Sequence, residues 1–139
     1  RSDGRAVERD DGTGGLLMKP RKAINAAMEK WTYRLGLRWW SVGAIYHKGK
    51  DAKRYFKSAE GSTILARTFA DWRYCDAFVH FNLPAYDGMS ADDIERVVVH
   101  ELCHILVNEM NATGIDHEER VVTGLTKAFM WTEQFAKEG

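Results

Sequence analysis

The stretch that most limits the fold is a run of residues that is apolar on nearly every side of a helix. Residues 91–107, "ADDIERVVVHELCHILV", carry apolar side chains that cover almost the whole circumference of a helix. Ser90 and Asp93 form a capping box at its start, where acidic residues also suit the positive end of the helix dipole. We therefore predict a central helix that ends near Val107 and that other elements of the chain bury.

The preceding sequence predicts one amphipathic helix and three strands around this central helix. Apolar residues at helical spacing, with Pro20 in the first turn and Gly36 past the end, predict the helix. Aromatic and β-branched runs at residues 37–46 and 62–70 predict two strands, and strict alternation predicts a third at Cys75–Leu83.

A last helix is predicted in "DHEERVVTGLTKAFMWTEQF", with Asp116 and Glu119 as its capping box. Its predicted core-facing stripe consists of Val121, Val122, Leu125 and Phe129. The predicted fold class is therefore α+β, with an N-terminal helix, three strands, the central helix and a C-terminal helix.

Composition divides the chain into a short arm and one domain. Residues 1–18 are rich in glycine and charge and have little to bury, so we predict a disordered arm followed by a single domain at residues 19–139. Cys75 and Cys103 form no CxxC pair, which argues against a disulfide framework. No run reaches the length of a membrane span and no signal peptide is recognisable, so we expect no membrane association and a cytoplasmic location.

The charges are unevenly distributed, although the formal net charge of the chain is zero. Residues 1–57 carry a net charge of +8 and residues 58–139 carry a net charge of −8. The densest basic stretch, "HKGKDAKRYFK" at His47–Lys57, interleaves basic side chains with Tyr55 and Phe56. We interpret it as a solvated loop between strands, with contact to a nucleic-acid backbone as the alternative.

The polar residues of the central helix have the spacing of a metal site. His100 and His104 are four residues apart, so a helix presents both imidazoles on one face to a single ion. Glu101 lies beside them and can take a proton from a metal-bound water, as in the HExxH arrangement of metallopeptidases. Without a cation, these three side chains on a buried helix would carry a large desolvation cost. We predict that they form a site for one zinc ion.

A catalytic zinc needs a third protein ligand, and the sequence offers several after the motif. Val107 and Met110 stand where a metzincin has a glycine and its third histidine, which excludes that class. The remaining candidates, at the start of the last helix, are Glu118, Glu119 and His117. Face geometry favours Glu118, which precedes the apolar stripe by three, four and seven residues, whereas Glu119 is assigned to the capping box.

The segments "HELCH" and "HEERVVTGL" resemble those of the gluzincin branch of the zincin-like metallopeptidases, in particular the small predicted ones of phage and prophage genomes. The resemblance covers about residues 20–135 and implies zinc bound by His100, His104 and one of the paired glutamates, with Glu101 as general base. It implies peptide or protein substrates, and a place in the host cytoplasm or in a virion. It also implies a minimal zincin-like domain in which a small, twisted, mainly three-stranded sheet packs on the central helix. The strand before the motif, Cys75–Leu83, would lie at the substrate-binding edge of this sheet.

Two other functions stay open from the sequence. An SprT-like protease, which acts on DNA-bound protein, also favours "HELCH" but takes a third histidine. His117 and the basic stretch would fit that family, whereas Glu118 stands where it typically has glycine. A zinc-stabilised binding or virion-associated module without turnover is the other alternative, although such a module has no need of Glu101 as a base.

Hydrolysis of a peptide bond also requires a donor for the charge that develops on the tetrahedral oxygen. Tyr86, in the loop before the central helix, is the preferred candidate. The other candidates are His80, Tyr74 and His117.

Overall fold

The structure, a computed structural model, describes residues 19–138 and has an α+β fold with five α-helices and a three-stranded mixed sheet. The arm predicted at residues 1–18 lies outside the described residues. None of the helices in the described part of the chain is long and apolar enough to cross a membrane. The elements are α1 (Pro20–Arg34), β1 (Ser41–His47), α2 (Gly49–Tyr55), β2 (Ala66–Asp71), β3 (Asp76–Asn82), a 3₁₀ helix (Leu83–Tyr86), α3 (Ala91–Leu106), α4 (Asn108–Ala112) and α5 (Glu118–Glu138).

Helix α3 is the central helix that the sequence predicts. The hydroxyl oxygen of Ser90 accepts a hydrogen bond from the backbone N–H of Asp93 at 3.1 Å, which satisfies one of the free amides at the start of the helix. α3 packs against α1, α5 and β2. Its buried side chains are Ile94, Val98, Val99, Glu101, Leu102, Cys103 and Ile105.

The sheet has the strand order β1-β3-β2, with β1 parallel and β2 antiparallel to β3. The predicted alternation is confirmed, since Ala77, Val79 and Phe81 are buried whereas Phe78 is half exposed. The edge position implied for Cys75–Leu83 is wrong, because β3 pairs with a strand on each side. Alternation reports which faces are buried and not the order of the strands, and the edge that contacts α3 is β2.

The basic stretch at His47–Lys57 forms the short helix α2 and not the predicted loop. Ala52 and Phe56 are buried and lie four residues apart, so they hold one side of this helix against the domain. The lysines and the arginine of the stretch are exposed. A second short helix, α4, follows α3 where the sequence predicts only a break.

A network of charged side chains joins α1 to α3 and α5. Lys30 Nζ lies 2.5 Å from Glu133 Oε2 on α5 and 2.7 Å from Glu95 Oε2 on α3, and Arg34 also contacts Glu133. Trp31 Nε1 donates to Glu95 at 2.5 Å. The hydrogen bond from Lys30, assisted by Arg34, holds the pKa of the buried Glu133 carboxyl below its ordinary value.

Glu133→Gln removes the charge that pairs with Lys30 and Arg34, so we expect this variant to be less stable than the wild type at pH 7. The loss should be only about 1 kcal/mol, because water partly screens the exposed ends of Lys30 and Arg34. The folded pKa of Glu133 lies below its unfolded pKa, so the stabilisation is complete above an unfolded pKa of about 4.3 and is lost as the pH falls through the folded pKa. Urea unfolding at pH 7 and pH 3 measures this change. The exposed Glu29, changed to Gln, is the control, and a loss that stays equal at both pH values would contradict a role for the Glu133 charge.

Candidate metal centre

Helix α3 presents two histidines side by side at its C-terminal half. His100 and His104 are one turn apart, with ring centroids separated by 5.1 Å. Both side chains are partly exposed, although most of the residues around them on α3 are buried, because they face an open pocket between α3, β2 and the start of α5. The sequence prediction that both imidazoles share one face of a helix agrees with this placement.

The side chain that joins the two histidines is Glu119, in the first turn of α5. Its Oε2 lies 2.8 Å from Nε2 of His100, and its Oε1 lies 3.1 Å from Nε2 of His104. One ligand atom from each of the three residues lies within 4.8 Å of the other two. Two imidazole nitrogens and a carboxylate oxygen are a donor set that zinc accepts, so the residues present fit this ion.

Glu118, which the sequence favours as third ligand, contacts the other side of the His104 ring. Its Oε2 lies 2.7 Å from Nδ1 of His104, and its side chain is only 20% exposed. An Nδ1–H that donates to this carboxylate leaves the lone pair of Nε2 directed toward Glu119. The structure therefore brings His100, His104 and Glu119 into one group, with Glu118 beside that group.

The direction of Glu119 follows from the residues that α5 buries, although its own side chain is more exposed than that of Glu118. The predicted stripe includes Val121, but this side chain is 38% exposed, whereas Thr126 is buried. Thr126 tolerates burial because its hydroxyl donates to the Val122 carbonyl oxygen at 2.7 Å. Glu119 precedes Val122 by three residues and Thr126 by seven, so it lies on the observed stripe. Its carboxylate contacts the histidines, whereas the predicted capping box would direct it back along the chain.

Glu101 lies beneath the histidines and is 8% exposed. The Thr68 hydroxyl on β2 donates to Glu101 Oε1 at 2.5 Å and lies 3.3 Å from the Glu101 carbonyl oxygen. Burial raises the pKa of the Glu101 carboxyl, and the Thr68 hydrogen bond together with the two histidines opposes that rise. The carboxylate is thus held in one orientation next to the three-residue group.

None of the oxyanion donors predicted from the sequence lines this pocket. Tyr86 is fully buried, and its hydroxyl donates to the Leu65 carbonyl oxygen at 2.8 Å. His80 is on the opposite face of the sheet, where its Nδ1 lies 2.9 Å from Nε2 of His47. Tyr74 is 75% exposed in the turn between β2 and β3, and His117 is exposed just before α5.

Three polar residues that line the pocket have no distinguishing signal in the sequence. They are Arg67 and Thr68 on β2 and Asn111 on α4. None belongs to a spacing motif, and each reaches the pocket only because its element packs against the end of α3. The predicted strand at residues 62–70 contains two of them, but a strand pattern does not reveal which helix the strand will contact.

An α+β domain whose central helix carries two histidines, opposite a carboxylate from another helix, has a construction used by metal-dependent hydrolases. A family model described as "Putative phage metallopeptidase" matches residues 21–131, and the chain belongs to this family. This match confirms the phage-type metallopeptidase family that the resemblance indicates, and its description is that of a metal-dependent peptidase. No curated protein and no solved structure gives a significant match.

Cys103 lies inside the motif but is directed into the core. It is fully buried, and burial raises the pKa of its thiol to about 11. We therefore expect Ellman's reagent to modify only one thiol, that of the partly exposed Cys75, in the native protein at pH 8. The Cys75→Ser variant serves as the control and should react only after denaturation. Rapid modification of that native variant would contradict the buried position of Cys103.

Proposed function

We propose that this protein is a zinc-dependent peptidase in which His100, His104 and Glu119 bind one zinc ion and Glu101 is the general base. The observation that carries the proposal is the position of the Glu119 carboxylate, 2.8 Å and 3.1 Å from the Nε2 atoms of the two histidines. Glu101 is buried directly beside them. The match to the metallopeptidase family supports the reaction class.

Glu119 is our choice of third ligand, in place of the Glu118 that the sequence favours. The ring of His104 can bind an ion through only one nitrogen while the other makes a hydrogen bond. The contact of Glu118 with Nδ1, and of Glu119 with Nε2, supports a division of roles. In this proposal Glu118 orients the His104 ring, as carboxylates beside metal-bound histidines commonly do.

The residues of the pocket leave room for water and substrate. Three protein ligands are the usual number at a catalytic zinc, and the group opens toward the pocket lined by β2 and α4. When bound, zinc supplies a Lewis acid and lowers the pKa of a coordinated water to about 7. Exposure of the Glu119 side chain at 69% is consistent with a ligand at the mouth of the pocket.

Glu101 would move the proton during hydrolysis. Thr68 donates to Oε1 of Glu101, which leaves Oε2 to accept the proton of the attacking water. The protonated carboxyl would then pass this proton to the leaving amine of the substrate. Because Thr68 holds the carboxylate by a short hydrogen bond, the base is in position before substrate arrives.

The substrate would be an extended peptide lying along β2. This strand pairs with β3 on one side, and its residues Ala66, Arg67 and Thr68 line the pocket. A peptide can add to such an edge by main-chain hydrogen bonds, which would place its backbone across the proposed zinc ligands. Asn111 carries a donor in the pocket that can stabilise the tetrahedral oxygen, whereas the Arg67 guanidinium lies over Tyr55 and the Tyr86 hydroxyl is bonded to Leu65.

The contacts favour this peptidase over the alternatives open from the sequence. A zinc-stabilised module without turnover has no need of the buried carboxylate that Thr68 orients. The SprT-like alternative takes a third histidine, and the exposed His117 lies outside the group formed with Glu119.

The ligand assignment predicts how much zinc each variant retains. Wild type should bind one zinc per chain, and Glu119→Gln should lose most of that affinity because a ligand is removed. Glu118→Gln should retain zinc with an affinity about 10- to 100-fold weaker, as expected for loss of an orienting carboxylate. Competition with a zinc-selective chelator measures these affinities.

The exposed Glu109, changed to Gln, controls for the loss of one charge near the site. A larger loss in Glu118→Gln than in Glu119→Gln would return the ligand role to Glu118. A wild type that binds no zinc after reconstitution would remove the peptidase proposal.

The role of Glu101 predicts loss of turnover without loss of metal. Glu101→Gln should retain zinc and lower kcat on a peptide library by about 100-fold or more, since general base catalysis contributes this much. Thr68→Val should lower kcat by about tenfold with zinc content unchanged, because the base loses its orientation. Thr68→Ser keeps the hydroxyl and is the matched control. Activity that survives in Glu101→Gln would show that another group is the base.

A further inference from the structure

The face of the sheet directed away from α3 carries large aromatic side chains in water. Phe78 on β3 is 50% exposed and Phe69 on β2 is 53% exposed, and the two residues are direct partners across the strands. Ile45 on β1 is 37% exposed on the same face. Large neighbouring apolar groups left in water at the centre of a sheet commonly mark a binding surface.

These exposed rings continue into a series of packed rings that reaches α2, with Phe69 edge-on to His80 and the later rings stacked. The centroid of Phe69 lies 5.4 Å from that of His80, and the centroid of His80 lies 5.1 Å from that of Tyr55. Tyr55 in turn stacks on His47 at 4.3 Å. We call this set of rings, Phe69, Phe78, His80, Tyr55 and His47, the aromatic face.

Basic side chains lie at the α2 end of the aromatic face. Arg67 is on β2, with its guanidinium carbon 5.7 Å from the centroid of Tyr55. Five exposed cations lie on or beside α2, against one acidic residue, Asp51, whose carboxylate lies 4.0 Å from Arg54. We call this set the basic helix, and its members are Lys48, Lys50, Lys53, Arg54 and Lys57.

We propose that the aromatic face and the basic helix together bind single-stranded nucleic acid. Unpaired bases stack on exposed rings, and lysines and arginines neutralise the phosphates of the same strand. A duplex does not offer its base faces to such rings, and a neutral protein partner does not match the cluster of cations. This surface lies on the opposite side of the sheet from the metal centre, so the proposal is independent of the peptidase function.

The test measures binding of a fluorescein-labelled 15-mer of thymidine by fluorescence anisotropy between 50 and 300 mM NaCl. The triple variant Lys50→Gln, Lys53→Gln, Arg54→Gln should bind more weakly and reduce the slope of log K against log salt by about 2, because each phosphate contact contributes about 0.7. The control is the triple variant Lys19→Gln, Lys22→Gln, Lys127→Gln, which removes the same charge from exposed residues. Lys19 lies just before α1, Lys22 is on α1 and Lys127 is on α5. This control should leave the slope unchanged.

The double variant Phe69→Thr, Phe78→Thr should bind the same oligonucleotide about tenfold more weakly or worse, with the salt slope retained, because stacking and not charge is lost. Trp131 and Phe135, a stacked and exposed pair on α5, provide the control Trp131→Gln, Phe135→Gln. Circular dichroism and zinc content check the fold of each variant, and the charge variant still tests the proposal if the phenylalanine variant unfolds.

Three results would overturn the proposal. The first is that wild type does not bind the oligonucleotide at 50 mM NaCl, or that each control weakens binding as much as its matched variant. The second is that Phe69→Thr, Phe78→Thr leaves oligonucleotide binding unchanged but converts a dimer to a monomer in light scattering, which would make this face a contact between two copies. The third is binding to vesicles with 30% phosphatidylserine, lost in the same variants, without binding to the oligonucleotide.

Discussion

The fold depends on burying α3 even though this helix carries polar side chains. Helix α3 is covered by α1, α5 and β2, so a carboxylate on its buried side needs a hydrogen-bond donor. The Thr68 hydroxyl is this donor for Glu101, at 2.5 Å. The two histidines avoid the same cost by facing an open pocket and contacting the glutamates of α5. Burial of one helix therefore restricts where β2 and α5 can lie, and these are the elements that complete the candidate metal centre.

Helix α5 is held in place at both ends by charged groups on the side that faces the domain. Glu133 contacts Lys30 and Arg34 of α1 near one end, and Glu119 contacts the histidines of α3 at the other. The two glutamates are fourteen residues apart, about 21 Å along a helix, and both lie on the stripe that contains Val122 and Thr126. A rotation of α5 about its axis would disturb both sets of contacts, so the ion pairs that stabilise the fold also orient the proposed third ligand.

Strand β2 separates the two surfaces to which we assign functions. Thr68 points toward α3 and Glu101, and its neighbour Phe69 points to the opposite side, where it joins the aromatic face. This division follows from the alternation of side chains along a strand. The proposed peptide and the proposed nucleic-acid strand would therefore lie on opposite sides of β2 and would contact different side chains of this strand.

Local periodicity in the sequence was sufficient to predict α1, α3, α5, the three strands and the shared face of His100 and His104, because each depends on residues close in the chain. The strand order, the helix at Gly49–Tyr55 and the contact of Thr68 with Glu101 depend on long-range packing, which spacing does not encode. The choice between Glu118 and Glu119 shows the limit most clearly. Thr126 is polar and lies outside the predicted stripe, yet it is buried and its hydroxyl bonds to the backbone of its own helix. The sequence by itself thus determined which helix carries the histidines, and only the tertiary structure decided which carboxylate contacts both of them, because packing set the rotation of α5.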